Sequence, residues 1–482
     1  MKKWIGLLCL LACACAGALD LSGAAPQQVF QCNDAGEADI ALAGKAGTAG
    51  AIEARVLDRF ALEAVGWTQL DDAEPDALWE GTLPGVPVGG PYTLEVRVVS
   101  TDGPVAELET VPGILVGDLW ILAGQSNMQG VGNKQDVAPP HPLVHVYAMN
   151  HDWRLAAEPL HVLQESPDPV HFKLDDESKR AAAIAKAYEW VKGAGLGLPF
   201  AREMVTRTGR PIGLIASAHG GTSMDQWDPA KRDEGGESLY GSMYKQVMKA
   251  GGTVRGVVWY QGESDANEKA APAFRKKFKH LVAAMRKDFK RPDLPFYYVQ
   301  IGRFVTPGDG AEWTFIQTEQ LAAEAEIDRA GMVASIDLAL DDPIHVGTRG
   351  LKTLGWRLAN LAEADLFGGA ILPGPRFEEI TREKTEYGMT WRVRFSGVNG
   401  ALSAAGRPSG FSISAGADGK PFPAVYKVAL DPAAPDTAVL WTGKLPENPH
   451  LWYGRGLNPY CNMTDSANMA VPVFGPVPLP EE

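Results

Sequence analysis

From residue 114 to about 370 the chain alternates short, unbroken apolar runs with stretches of helical period. The runs cover 115–122, 143–149, 212–218, 256–260, 296–301 and 332–338. A strand with one solvated face alternates apolar and polar residues, whereas a strand that is apolar throughout is covered on both faces. Between the runs, 266–289 and 314–325 carry helical patterns, and Leu351, Leu354, Leu358 and Leu361 mark the apolar stripe of a third helix. This texture predicts an α/β domain built on a parallel sheet. Ligands in such sheets bind beyond the carboxyl ends of the strands. Chemistry is therefore expected in the residues just after each run.

The flanks read differently. Gly89-Gly90-Pro91 is turn chemistry, and the alternation that follows puts Tyr92, Leu94, Val96 and Val98 on one face of a half-buried strand. After Pro373-Gly374-Pro375, strands separated by Gly and Pro return as far as Phe474. A length of 482 residues also asks for more than one core. The organisation predicted is an N-terminal β-sandwich module over 25–112, the α/β domain over 113–370, and a second β module with a short tail over 371–482. The segment 130–196 is long for a connection and rich in His, Pro and acid, so it is expected to shape substrate entry.

Residues 1–18 read as an export signal. Lys2 and Lys3 precede an apolar segment from Trp4 to Ala12 that is too short to span a bilayer. Leu10-Leu11-Ala12-Cys13 resembles a lipobox that would leave a lipidated Cys13, while Ala16-Gly17-Ala18 fits cleavage before Leu19. Both readings stay open, and both place the protein in the periplasm, at the cell surface or outside the cell. Cys9, Cys13 and Cys15 lie in or beside the signal, which leaves Cys32 and Cys461 in the body. These form either a disulfide joining the two ends or two unrelated buried thiols. The net charge of -14 argues against nucleic acid or anionic membrane as partner. A neutral substrate such as a decorated sugar is compatible with it.

The first run ends in Gly124-Gln125-Ser126-Asn127-Met128, a serine set among small and amide residues at the end of a buried strand. Far downstream stands Asp342-Pro343-Ile344-His345. Together they offer a nucleophile, a base and an orienting carboxylate, the minimum set for acyl transfer through serine. Pro343 pushes Asp342 toward extended backbone, so Asp342 and His345 are expected on one loop ahead of a helix beginning near Thr348. Taken alone, the Asp-Pro-Ile-His string reads as a surface turn; beside Ser126 it reads as part of a site. Gly220-Gly221-Thr222 follows another strand and suits backbone N–H groups aimed at an oxyanion, and Gln261 offers a side-chain amide. The same glycines also suit plain tight turns. Glu263 and Asp265 either orient Gln261, touch substrate or cap the next helix.

Two rivals stand beside this reading. Gly262-Glu263-Ser264-Asp265-Ala266 loosely matches the G-x-S-x-G elbow, which would make Ser264 the nucleophile with the same Asp342 and His345. The insert also holds His141, His145, His151, His161 and His171. No H-E-x-x-H occurs and Pro142 disfavours a helical ligand pair, so these read as loop histidines and no metal is expected. His219, beside the glycines, either lines the pocket or packs.

At these residues the chain resembles the sialate O-acetylesterase family of SGNH-type serine hydrolases. The strings that carry the resemblance are Gly124-Gln125-Ser126-Asn127-Met128, Gly220-Gly221-Thr222 with Trp227, Gln261-Gly262-Glu263-Ser264, and Asp342 to His345. Gly117-Asp118-Leu119-Trp120, Gly410-Phe411 and Asn458-Pro459-Tyr460-Cys461-Asn462 extend it. The resemblance implies a flavodoxin-like α/β/α domain, three layers on a parallel sheet, between β modules. It implies Ser126 as nucleophile, His345 as base and Asp342 as orienting acid. The oxyanion hole would be the backbone N–H groups of Ser126 and Gly221 with the Gln261 side chain. Gln125, Asn127, Trp227 and Glu263 would lie against substrate or behind those residues. No cofactor or metal is implied, and water is the second substrate.

The activity implied is removal of an acetyl group from a sugar hydroxyl, on sialic acid or, as in related proteins, on a plant polysaccharide such as xylan. Two residues depart from the family pattern within the site: Val346 replaces a proline, and His219 stands where a small or apolar residue is usual. The first β module matches only at its later strands. A carbohydrate-binding surface lipoprotein without catalysis is the alternative of a different class.

Overall fold

The computed structural model describes residues 19–480 apart from 174–175 and 386–387, so the expected export signal lies outside the described residues. The chain divides into two compact units, one up to Val116 and one from Gly117 onward.

The first unit is built on two antiparallel sets of strands. Asp20–Ser22, Glu37–Lys45 and Leu78–Pro87 form one sheet. Glu63–Ala73, Gly50–Leu57, Gly89–Ser100 and the early part of Val105–Gly124 form another. The period of two read from the sequence has its physical counterpart here: Leu94, Val96 and Val98 are fully buried and Tyr92 nearly so. They share one core with Ile40, Leu42, Ile52 and Val56. Cys32 is buried in that core.

The second unit is built on the apolar runs. Its parallel strands are β1 (Val105–Gly124, from residue 117 on), β2 (Val144–Tyr147), β3 (Ile212–Ala216), β4 (Gly256–Tyr260), β5 (Phe296–Gln300) and β6 (Ala330–Ala334). Their order across the sheet is β2-β3-β1-β4-β5-β6, and Trp153–Leu155 adds an antiparallel edge beside β2, so the sheet is mixed. The strand order reverses direction at β1, which lies between β3 and β4. The helices are α1 (Gly197–Thr208), α2 (Leu239–Lys249), α3 (Phe274–Asp288), α4 (Ala311–Glu326) and α5 (Thr348–Phe367). Trp120 of β1 meets Phe200 of α1 edge-on at 5.0 Å, and Trp259 of β4 meets Phe278 of α3 at 6.5 Å. Strands covered in this way have no polar face to show, which is why their sequences do not alternate.

One helix is shorter than its pattern predicts. Instead of running from 266, α3 begins at Phe274 after a single 3₁₀ turn at Ala271–Ala273. Pro272 supplies no N–H and is tolerated only in the first turn of a helix, so the helical stretch cannot extend back to 266.

The strands after residue 375 fall in the same unit as the parallel sheet. Arg376–Thr385, Gly388–Ser396, Thr437–Thr442 and Val425–Leu430 form one antiparallel sheet. Pro421–Phe422, Phe411–Ala415, Pro449–Tyr453 and Phe474–Pro478 form a second. Their common core takes in Trp391, Leu440, Tyr453 and Ile336, the last from just beyond β6. Gln300, at the end of β5, exchanges two hydrogen bonds with the backbone of Val473 at 3.0 and 2.8 Å. Cys461 is buried in this core, and no disulfide joins it to Cys32. No helix among the described residues is long and apolar enough to cross a membrane.

Candidate active site

The carboxyl ends of β1, β3 and β4 lie side by side, and the chain turns sharply after β1. Gly124 has φ 131°, and a Cβ there would stand 2.2 Å from the carbonyl oxygen of Tyr260, so only glycine lets β1 close on β4 at this level. Gln125 N–H then donates to Tyr260 O at 2.8 Å, and the chain enters a one-turn helix, Ser126–Gln129. The strand thus stops dead and presents Ser126 at its tip, half-buried.

The second loop is pinned as firmly. Leu340 and Val346 form a β-bridge, Asp341 N–H donates to His345 O at 2.9 Å, and Gly347 N–H donates to Ala339 O at 2.9 Å. Inside this closed turn the Asp342 carboxylate accepts from the N–H groups of Ile344 and His345 at 3.1 and 2.9 Å. The same carboxylate lies 2.8 and 2.9 Å from His345 Nδ1. His345 Nε2 lies 2.9 Å from Ser126 Oγ. A carboxylate can only accept, so Nδ1 carries the proton and Nε2 is left bare toward the serine, the tautomer that can take its proton. Burial by itself would raise the Asp342 carboxyl. Lys192 and these N–H donors outweigh burial and hold it well below the usual carboxylate range. The neighbouring Asp341 faces elsewhere, accepting from the N–H groups of Asn133 and Thr348.

The glycine turn lies against the serine. A Cβ on Gly220 would come 3.4 Å from Ser126 Cβ, and Gly220 N–H donates to Gln129 Oε1 at 2.7 Å. Gly221 has φ 71° and open space where a side chain would stand. The N–H groups of Ser126, at the start of its helix, and of Gly221 have no acceptor among the described residues. Gln261 departs from expectation. It is fully buried, and its Nε2 already donates to Thr222 O at 3.1 Å and to Asp265 at 2.5 Å. With both amide hydrogens committed, it braces the glycine turn and has no donor left for an oxyanion.

The remaining candidates are supports. Gln125 Oε1 accepts from Ser264 N–H at 3.2 Å. Trp227 is fully buried, donates to Thr222 Oγ1 at 3.0 Å and packs edge-on against Trp259. Asn127 ties three segments together: its Oδ1 accepts from Val346 N–H at 3.0 Å and its Nδ2 donates to Glu263 Oε1 at 2.8 Å. Between the two rival nucleophiles, the histidine faces Ser126, while Ser264 offers its N–H to Gln125.

Burial pushes the Glu263 carboxyl up to about 7, against the weaker opposing pull of the Asn127 amide. The folded chain therefore keeps this proton over a pH range in which the unfolded chain has lost it. The resulting stabilisation is complete below the ordinary glutamate value and disappears as pH rises through about 7. Glu263→Gln keeps the acceptor for Asn127 without a charge to bury. It should raise Tm at pH 8 and change it little at pH 5, by thermal denaturation at both. A lower Tm at pH 8 would mean that the carboxylate is favourably held.

The insert reaches the site in ways its sequence gave no sign of. Lys192 hydrogen-bonds Asp342, and His161 Nδ1 lies 3.0 Å from the carbonyl of Gln129. Four of the five insert histidines lie outside strands and helices as expected, while His145 lies on β2; His145, His161 and His171 are nevertheless buried. Among the described residues, no group of three or more His, Cys, Asp or Glu is placed to hold a metal ion.

Residues 116–363, a little over half of the chain, match the family described as carbohydrate esterase, sialic acid-specific acetylesterase. A probable carbohydrate esterase of Arabidopsis thaliana is 30% identical over 203 residues, which are 38% of this chain and 68% of that protein. The sialate O-acetylesterase of Homo sapiens is 27% identical over 336 residues, or 63% of each chain, so this chain spans a little under two thirds of that relative. In structure, the chain is similar to a carbohydrate acetylesterase from Xanthomonas citri, with a TM-score of 0.65 at 23% identity, covering 93% of this chain and 97% of that one. That likeness shows a shared fold.

Proposed function

The chain belongs to the carbohydrate esterase, sialic acid-specific acetylesterase family, whose members are carboxylic ester hydrolases, and from that premise we propose that it removes O-acetyl groups from carbohydrate through Ser126, His345 and Asp342. The observation that carries the proposal is the continuous line from Asp342 through His345 to Ser126 Oγ at 2.9 Å. We also read the fold as flavodoxin-like, helices covering both faces of the sheet between β-sandwich modules. Residues 1–18 we read as an export signal, with a lipid on Cys13 or cleavage before Leu19.

In the first half-reaction Ser126 Oγ attacks the acetyl carbonyl carbon while His345 Nε2 takes the hydroxyl proton. The negative charge that forms on the carbonyl oxygen is met by the N–H groups of Ser126 and Gly221. His345 then gives its proton to the departing sugar oxygen, and the C–O bond to the sugar breaks. In the second half-reaction His345 takes a proton from water as its oxygen attacks the acyl carbon; His345 then returns that proton to Ser126 Oγ as the acyl–Oγ bond breaks, releasing acetate. Asp342 stays ionised throughout and stabilises the imidazolium that forms in each half.

Acetate release from O-acetylated sialic acid and from acetylated xylan, measured on the mature protein, tests the proposal and separates the sugars. Release from sialic acid alone makes the protein a sialate esterase. Release from xylan alone makes it a plant-polysaccharide esterase. A fluorophosphonate probe should label Ser126. Polysaccharide binding with neither labelling nor acetate release would instead support the non-catalytic binding protein.

A further inference from the structure

A second line of buried polar groups ends on His219, the residue before the glycine turn that lies against the nucleophile, and it fixes what that last member can offer a substrate. Ser242 Oγ lies 2.6 Å from Asp168 Oδ2, and His171 Nε2 lies 3.1 Å from Ser242 Oγ. His171 Nδ1 lies 3.1 Å from His219 Nδ1, with the two rings stacked. Asp168, Ser242 and His171 are buried. Lys245 is bonded to Asp168, and His151 Nε2 stands 3.7 Å from it.

The protons along this line follow from simple counting. A carboxylate accepts, so Ser242 spends its single proton on Asp168 and must accept from His171. His171 therefore carries its proton on Nε2, which leaves Nδ1 bare to accept from His219 Nδ1–H. Burial, added to by the neighbouring His219, pushes His171 down to about 3, and burial likewise lowers His219. Both rings are thus neutral at ordinary pH. A neutral His219 protonated on Nδ1 has a bare Nε2, an acceptor with nothing to donate. This Nε2 has no hydrogen-bond partner among the described residues, and the side chain is half-exposed.

His219 comes directly before Gly220, which lies against Ser126, and its N–H donates to Gly124 O at 3.0 Å. A bare acceptor at this position cannot assist an oxyanion, which needs donors. It suits a donor on the alcohol side of the ester. On the esterase reading given above, we propose that His219 Nε2 accepts a hydrogen bond from a sugar hydroxyl neighbouring the acetylated oxygen, and that the line from Asp168 fixes the ring in the tautomer that allows it. His219 thereby selects esters of polyols over simple acetates.

The test compares a monoacetylated sugar bearing a free neighbouring hydroxyl with 4-nitrophenyl acetate, which has none. His219→Ala should raise KM for the sugar ester by about tenfold, the order of one lost hydrogen bond, and leave kcat/KM for 4-nitrophenyl acetate nearly unchanged. His219→Gln, whose Oε1 can stand near the place of Nε2, should recover part of the loss. Ser242→Ala should move KM for the sugar ester the same way by a smaller factor. Equal losses on both esters in His219→Ala and His219→Gln would overturn the proposal and assign the ring to packing. Ser242→Ala indistinguishable from wild type would overturn the part played by the buried line. Wild-type protein that hydrolyses neither ester would count against the esterase reading itself, a separate failure seen before any variant is made.

Discussion

Ser126→Ala lowers kcat for acetate release by about 10⁶-fold, the scale on which a serine hydrolase loses its nucleophile, and leaves Tm almost where it was. The two effects separate because of where the hydroxyl stands. Its one partner among the described residues is His345 Nε2, and the serine is half-buried at the mouth of the site. Removing it therefore strands no deeply buried group. The backbone N–H groups offered to the oxyanion belong to the main chain and survive, so slow residual turnover above the uncatalysed rate is expected. The same variant decides between the two serines of the sequence. If Ser264 were the nucleophile, Ser126→Ala would keep both turnover and fluorophosphonate labelling. Acetate release followed by enzyme-coupled assay, with intact-mass analysis of the labelled protein, reads both.

Asp342→Asn is expected to lower kcat by about 10⁴-fold, close to what the wrong histidine tautomer costs in serine proteases. Asp342 accepts from two backbone N–H groups, from His345 Nδ1–H and from Lys192. An asparagine side chain has one accepting oxygen and an amide that only donates. Whichever way it sits, its NH₂ faces a donor, and the cheapest relief is for His345 to move its proton to Nε2. The ring then points a hydrogen at Ser126 and can no longer deprotonate it. Lys192 also loses the negative charge it faces. Because Asp342 is held well below the usual carboxylate range, its charge persists at any pH near neutrality. An acid limb in the pH profile of the wild-type rate is therefore not the titration of Asp342. Steady-state kinetics at pH 8 would check the variant; a loss smaller than tenfold would mean that Asp342 does not set the tautomer.

What could be read from the sequence was local or strictly periodic. The apolar runs announced strands covered on both faces because no alternation was left in them, and Tyr92 to Val98 announced a half-buried strand because alternation was complete. Ser126, Asp342 and His345 were legible because a small-residue break after a buried strand and a proline-fixed loop are both local features. The apolar period starts a helix at 266, eight residues ahead of the observed one, because Pro272 outweighs that period. Other features depend on contacts that spacing does not encode. Lys192 meets Asp342 across 150 residues, and Asp168 meets Ser242 across 74. Its place after β4 offers the amide of Gln261 to the oxyanion. Asp265, four residues on, claims it instead, and only the fold brings Thr222 to its other hydrogen.

Lys192 belongs to the long insert, the segment a protein engineer would exchange first to retarget the enzyme to another sugar. Its ammonium is also among the groups that keep Asp342 ionised. A transplanted loop would have to bring its own cation to the same spot, or the recipient would gain a new specificity and lose rate in the same step. On the reading that the insert shapes substrate entry, selectivity and turnover are inherited together in this scaffold, and libraries that vary residues 130–196 should hold position 192 constant.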